Sequence, residues 1–204
     1  GATLVFINST INANGVSSTN LYRFRVALAS APTVTYTVER TVPNFRLTDV
    51  PGLPLLYDTE YLVDVQIRVR LAGFEAWSQY GLRCSVFTPT APVTSLVDAQ
   101  CEDYAVPSDA TQINAIAFPG ATAYRFRLTG FDEFGDVNYQ QEVTNATPSF
   151  TLSQFSGLTP GVTYAVAVSM NLFGTFTDYG KDCSIITPSM TKQSSIVEPF
   201  KATA

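Results

Sequence analysis

The chain contains no histidine, which removes the commonest general base and metal ligand. Serine or cysteine triads built on His and His-based zinc sites are thereby excluded. Charge is also scarce: Asp, Glu, Lys and Arg make up 14% of the 204 residues, against about 25% in an ordinary soluble domain. The net charge of −5 speaks against a phosphate-binding surface, because nucleic-acid binders need clustered Lys and Arg to displace counterions. No stretch approaches the roughly 18 uninterrupted apolar residues of a membrane span, and the first residues do not read as a secretory signal peptide. A mature or excised chain is expected. The three cysteines make no zinc knuckle, and no Gly-rich phosphate loop runs from a strand into a helix. No cofactor is expected.

What is present is apolar and β-forming. The 46% hydrophobic share is far too high for a disordered chain. Thr, Ser, Val and Tyr in place of charge suit sheets with uncharged polar outer faces. The apolar period is two: Tyr22, Phe24, Val26 and Leu28 alternate with Arg23, Arg25 and Ala27. Val63, Val65, Ile67, Val69 and Leu71 alternate in the same way with Asp64, Gln66, Arg68 and Arg70. This is the pattern of half-buried antiparallel strands, and no helical period competes with it.

The chain repeats itself. Tyr22-Arg23-Phe24-Arg25-Val26 returns as Tyr124-Arg125-Phe126-Arg127-Leu128, a shift of 102. Tyr80-Gly81-Leu82-Arg83-Cys84-Ser85-Val86 returns as Tyr179-Gly180-Lys181-Asp182-Cys183-Ser184-Ile185, a shift of 99. One unit has been duplicated, with small loop insertions and deletions. Residues 1–90 form the first copy, 91–188 the second and 189–204 a tail. The join, Thr88-Pro89-Thr90-Ala91-Pro92, predicts an extended, semi-rigid connection. The copies differ in charge. Residues 1–90 carry seven Arg and six acids, net +1, whereas 91–188 carry three basic and ten acidic groups, net −7.

Two stretches of the second copy resemble a fibronectin type III domain. Phe118-Pro119-Gly120-Ala121-Thr122-Ala123-Tyr124-Arg125-Phe126-Arg127 resembles the end of that family's second strand, its turn and its third strand. Leu158-Thr159-Pro160-Gly161-Val162-Thr163-Tyr164 is similar to its tyrosine corner, in which a Tyr hydroxyl caps backbone groups where the chain crosses between sheets. The first copy keeps Leu55 and Tyr61 at the same spacing but has Tyr57 where the family prefers Pro, and neither copy has the family's usual second-strand Trp. The resemblance implies an all-β chain of two tandem fibronectin type III-like, immunoglobulin-like β-sandwich domains, with tyrosine corners at Tyr61 and Tyr164. It implies a scaffold and names no activity.

Cys101 and Cys183 open and close the second copy, 82 residues apart. Subtracting 82 from Cys84 gives position 2, and a one-residue loop difference before Tyr22 moves the expected partner to just upstream of Gly1. A Cys101–Cys183 disulfide is expected, with Cys84 pairing upstream of Gly1. Such a bridge implies an oxidising compartment. Three free thiols packed as small apolar groups are the alternative.

The phrasing Gln100-Cys101, Tyr124-Arg125-Phe126-Arg127 and Cys183-Ser184-Ile185-Ile186-Thr187-Pro188 is similar to repeats in secreted proteins of gliding Bacteroidota. The tail Val197-Glu198-Pro199-Phe200-Lys201-Ala202-Thr203-Ala204 resembles the lead-in to a type IX secretion sorting domain. These resemblances imply an extracellular, cell-surface protein. Its role would be structural or adhesive, a non-catalytic stalk or spacer linked to surface adhesion or gliding motility. The expected partners are other surface or secretion-system proteins, or glycans, with no nucleic acid and a monomeric fragment. A glycan- or protein-binding accessory module is the alternative.

Few side chains invite a more specific role. Asp132, Glu133 and Asp136 form a dense acidic loop that could ligate calcium, although a solvated hairpin tip accounts for it more simply. Trp77 could stack on a sugar or anchor a partner, and Phe176 holds the equivalent place. An aromatic shared by both copies is better read as cover for the sandwich edge. Arg23 and Arg25, with Arg68 and Arg70, lie on outward strand faces and could bind an acidic polysaccharide. Cross-strand charge pairing explains them as well.

Overall fold

The computed structural model describes residues 1–16, 19–71 and 73–189, so the tail resembling a sorting lead-in lies outside the described residues. The chain divides between Pro92 and Val93 into two compact units. Unit 1 contains β1 (Ala2–Thr3), β2 (Ile11–Asn12), β3 (Thr19–Leu28), β4 (Tyr36–Arg40), β5 (Asn44–Phe45), β6 (Glu60–Leu71), β7 (Phe74–Trp77) and β8 (Cys84–Phe87). Unit 2 contains β9 (Tyr104–Ala105), β10 (Ile113–Asn114), β11 (Ala123–Phe131), β12 (Val137–Asn145), β13 (Ser149–Phe150), β14 (Thr163–Leu172), β15 (Thr175–Phe176) and β16 (Cys183–Ile186). No helix among the described residues is long and apolar enough to cross a membrane.

The two units share one topology. In unit 1 the large sheet runs β1-β8-β6-β3-β4 with β7 on β6, and β2 pairs β5 in a second sheet. In unit 2 the large sheet runs β9-β16-β14-β11-β12 with β15 on β14, and β10 pairs β13. The first strand lies parallel to the last in both, β1 on β8 and β9 on β16. All other pairs are antiparallel.

The period of two sends alternate residues to opposite faces. In β3, Tyr22, Phe24 and Val26 are buried toward the second sheet, and in β11 Tyr124, Phe126 and Leu128 are. One aromatic pair bridges the sheets in each unit: Phe24 with Phe45, ring centroids 4.5 Å apart, and Phe126 with Phe150 at 4.7 Å. Each fully buried ring contributes about 1.5–3 kcal/mol relative to exposure.

The crossover into the central strand is pinned by a tyrosine. Tyr61 Oη donates to the Pro54 carbonyl at 2.6 Å and accepts from the Leu56 N–H at 2.9 Å. Tyr164 Oη accepts from the Thr159 N–H at 3.0 Å. The Tyr164 ring also fixes a glycine, because a Cβ on Gly130 would stand 3.0 Å from Tyr164 Cε1. Gly130 is where β11 departs from regular register with β12.

One sequence expectation is overturned. In the middle of β6 and β14 both faces are buried, not one. On the outward face of β6, Asp64 and Gln66 are buried, and on that of β14, Ala167 and Ser169 are. Something other than solvent covers them.

Candidate functional site

The cover is a layer of guanidinium groups stacked on aromatic rings. Positions i and i+2 of a strand share a face, so β3 presents Arg23 and Arg25 side by side. The β6–β7 hairpin and the segment after it bring Trp77 and Tyr80 over the same face. The Arg23 guanidinium carbon lies 4.0 Å from the Trp77 ring centroid, and that of Arg25 lies 3.9 Å from Tyr80. Unit 2 repeats the arrangement, with Arg125 over Phe176 at 3.9 Å and Arg127 over Tyr179 at 4.0 Å. Each stack is worth about 0.5–2 kcal/mol, rising as water is excluded. Trp77 and Phe176 therefore cover a sheet face rather than the sandwich edge.

Carboxylates complete the layer differently in the two units. In unit 1, Arg23 donates from Nε and Nη2 to Glu39 Oε1 at 2.8 and 2.6 Å. Arg25 holds Asp64 through two parallel bonds, Nε to Oδ1 at 2.9 Å and Nη2 to Oδ2 at 2.6 Å. Arg83 adds a third to Oδ2 at 3.2 Å. The Asp64 side chain is only 3% exposed, so it is a buried anion held between two cations. Its hydrogen bond to Arg25 raises that guanidinium's already high pKa further. Arg68 and Arg70 stand farther along β6 and share Glu75 of β7. The four arginines read from the sequence as ligand contacts are thus each matched to an acid. They do not form a free basic ladder, and an anionic glycan would have to displace those acids.

In unit 2 the register places Ala167 opposite Arg127, where Asp64 faces Arg25. Asp182 takes the repeat position of Arg83. The remaining acid, Glu142 of β12, accepts from Tyr179 Oη at 2.5 Å and lies 3.9 Å from Arg125 Nε. Burial, reinforced by the bond to Glu142, pushes the Tyr179 phenol up to about 12. Arg127 Nε is buried without a hydrogen-bond partner, so the stack on Tyr179 carries this arginine.

The acidic loop is a turn. Asp132 Oδ1 accepts from the Phe134 and Asp136 N–H groups, both at 2.9 Å, which commits that carboxylate to closing the β11–β12 hairpin. Among the described residues no three acids, cysteines or histidines converge to hold a metal ion.

The cysteines separate the units. Cys101 and Cys183 are joined, S–S 2.05 Å, with Cα atoms 4.7 Å apart, and Cys183 is buried. Free packed thiols are excluded for this pair. Cys84 is free and exposed.

Residue type alone gave no reason to single out Tyr80, Tyr179, Glu39 or Asp64. For Tyr80 and Tyr179 the signal is joint recurrence, since Arg-x-Arg on one strand and an aromatic three residues before a Tyr appear together in both copies; Glu39 and Asp64 have no acidic counterpart in the second copy and leave no such signal.

No family model matches the chain, and no curated protein does. Similar solved structures include the FN1–FN3 domains of chicken CNTN1, at 15% identity and TM-score 0.34, covering 93% of this chain and 65% of that one. Another is the chicken interferon gamma receptor alpha chain, at 11% identity and TM-score 0.37, covering 89% and 93%. The strand order and the tyrosine corner define the class: two tandem fibronectin type III-like β-sandwich domains.

Proposed function

We propose that the chain is a non-catalytic structural or adhesive module, a stalk or spacer, of a secreted cell-surface protein. The observation that carries this reading is the repeated outer layer. In both units the rings and charges that could serve a ligand are used against one another, in the same stacked order. Such a layer stiffens a sandwich face. The Cys101–Cys183 disulfide fits folding in an oxidising compartment, in agreement with export. Type IX secretion and a link to gliding motility rest on the sequence phrasing of the repeats and the tail, and are part of the same proposal.

The test is a glycan array probed with the wild-type chain and with Trp77→Ala. The stalk reading expects no saturable glycan binding by either, and a loss of about 1 kcal/mol in the stability of unit 1 from the substitution. Saturable binding by the wild type that disappears in the variant would establish the glycan-binding module instead. For the export route, the full-length protein should carry a sorting domain after Ala204, and its deletion should leave the protein inside the cell.

A further inference from the structure

Unit 2 shows what lies along the outer edge of its second sheet. Residues 94–100 run beside β10: Val97 N–H donates to the Asn114 carbonyl at 2.9 Å, Ile116 N–H to Ser95 at 2.9 Å, and Thr94 Oγ1 to Ile116 at 2.7 Å. Leu96 is completely buried. Gln100 caps the strand by accepting from Asn114 N–H at 2.7 Å. Cys101 then reaches Cys183, and the chain enters β9.

The same edge in unit 1 is open. By register, Ile11 and Asn12 of β2 match Ile113 and Asn114 of β10, yet among the described residues no strand lies on their far side. Ile113 is completely buried, whereas Ile11 is only half-buried. Cys183 is buried, whereas Cys84 is exposed. A groove follows this edge, lined by Leu4, Ile11, Asn12, Cys84 and Val86, and core side chains reach its continuation at Phe24 and Val65. Leu82, 93% exposed, stands beside it. An unpaired strand edge above open core side chains is a template for one more strand.

We propose that this groove accepts the stretch of the polypeptide leading into Gly1. It lies along β2 as an extended strand with a buried apolar residue, and its cysteine bonds to Cys84. The register is fixed by the parallel pairs: Ala2 faces Val86 as Tyr104 faces Ile185. Cys101 lies three residues before Tyr104, so the incoming cysteine is the second residue before Gly1. In the closing step two S–H bonds break and one S–S bond forms. The two electrons and two protons pass to a donor disulfide, which is reduced to a dithiol.

The test extends the chain before Gly1 with the ten residues copied from Val93–Glu102, and compares it with an extension in which the copied Leu96 is replaced by Asp. Both are exposed to oxidised glutathione. The expected result is that the first extension blocks Cys84 toward thiol reagents, yields a cross-linked peptide containing Cys84, and slows amide exchange at Asn12. The Asp version should cross-link about tenfold more slowly, because a carboxylate would enter the apolar groove. Equal cross-linking by both extensions would show thiol proximity without strand docking and overturn the proposal. Failure of the first to protect Cys84 would also overturn it.

Discussion

Units 1 and 2 are one topology with two electrostatic solutions on the same face. The stacked order is common to both: arginine on an aromatic ring, beside a second arginine on a tyrosine. The acids are not. Unit 1 buries Asp64 between Arg25 and Arg83, and unit 2 replaces these partners with Ala167 and Asp182. A guanidinium plane stacked on a ring buries its stem and its π face together, so the stack holds whether or not a carboxylate joins it. Stacking is therefore the shared element of the layer, and the ion pairs are local additions. Of the two changes, only Arg83 to Asp182 runs in the direction that separates the charges of the copies, and Asp64 to Ala167 runs against it.

Breaking the staple should separate the units most. Cys101→Ser together with Cys183→Ser opens a closed loop of about 80 residues, worth on the order of 4 kcal/mol in the chain-entropy model. Urea unfolding should show unit 2 losing that much while unit 1 keeps its midpoint. Equal shifts in both transitions would mean the bridge does not act within unit 2 alone.

Next in size is Asp64→Ala, which gives unit 1 the unit 2 residue. Two arginines lose a buried partner, and a loss of about 2–3 kcal/mol is expected. Adding Arg83→Ala should recover part of it, because one stranded cation is removed. If Asp64→Ala is neutral, the layer in unit 1 already stands on stacking alone.

A smaller effect is expected at the tyrosine corners. Tyr61→Phe removes a donated and an accepted hydrogen bond, and about 1–3 kcal/mol should be lost. Tyr164→Phe removes the accepted bond from Thr159 and should cost less. A larger loss at Tyr164 would reverse the ranking.

The alkaline limb gives the finest distinction. Tyr179 is neutral in the folded state up to about 12, whereas an unfolded tyrosine ionises near 10. A raised folded pKa means its contribution is fully present below pH 10 and is lost as pH rises toward 12. Unit 2 should weaken across that window, and Tyr179→Phe should flatten the loss. Tyr179 is partly exposed, so screening keeps the effect modest. An unchanged profile in the variant would remove Tyr179 as its source.

Much of the architecture was legible in the chain. Alternating Tyr22, Phe24 and Val26 gave a strand with one core face, and the recurrence near a shift of 102 gave two copies. The Leu158-to-Tyr164 stretch marked the corner, and the cysteine spacing gave the bridge. The layer was not legible, because its contacts join residues far apart in sequence whose identities are ordinary for exposed strands. Arg25 and Asp64 are 39 positions apart, and neither residue alone signals burial. Trp77 reads from the sequence as cover for the sandwich edge, since nothing local indicates which face a hairpin will fold over.

The sequence by itself determined period, repeat, turn and cysteine spacing, because these depend on neighbours along the chain and on one duplication. Only the tertiary structure decided that Asp64, Gln66, Ala167 and Ser169 on the outward faces of β6 and β14 are buried, which acids pair with which arginines, and that Cys183 is closed in while Cys84 lies open. Each of these depends on which side chains cross between strands, and that is set by packing and register in three dimensions.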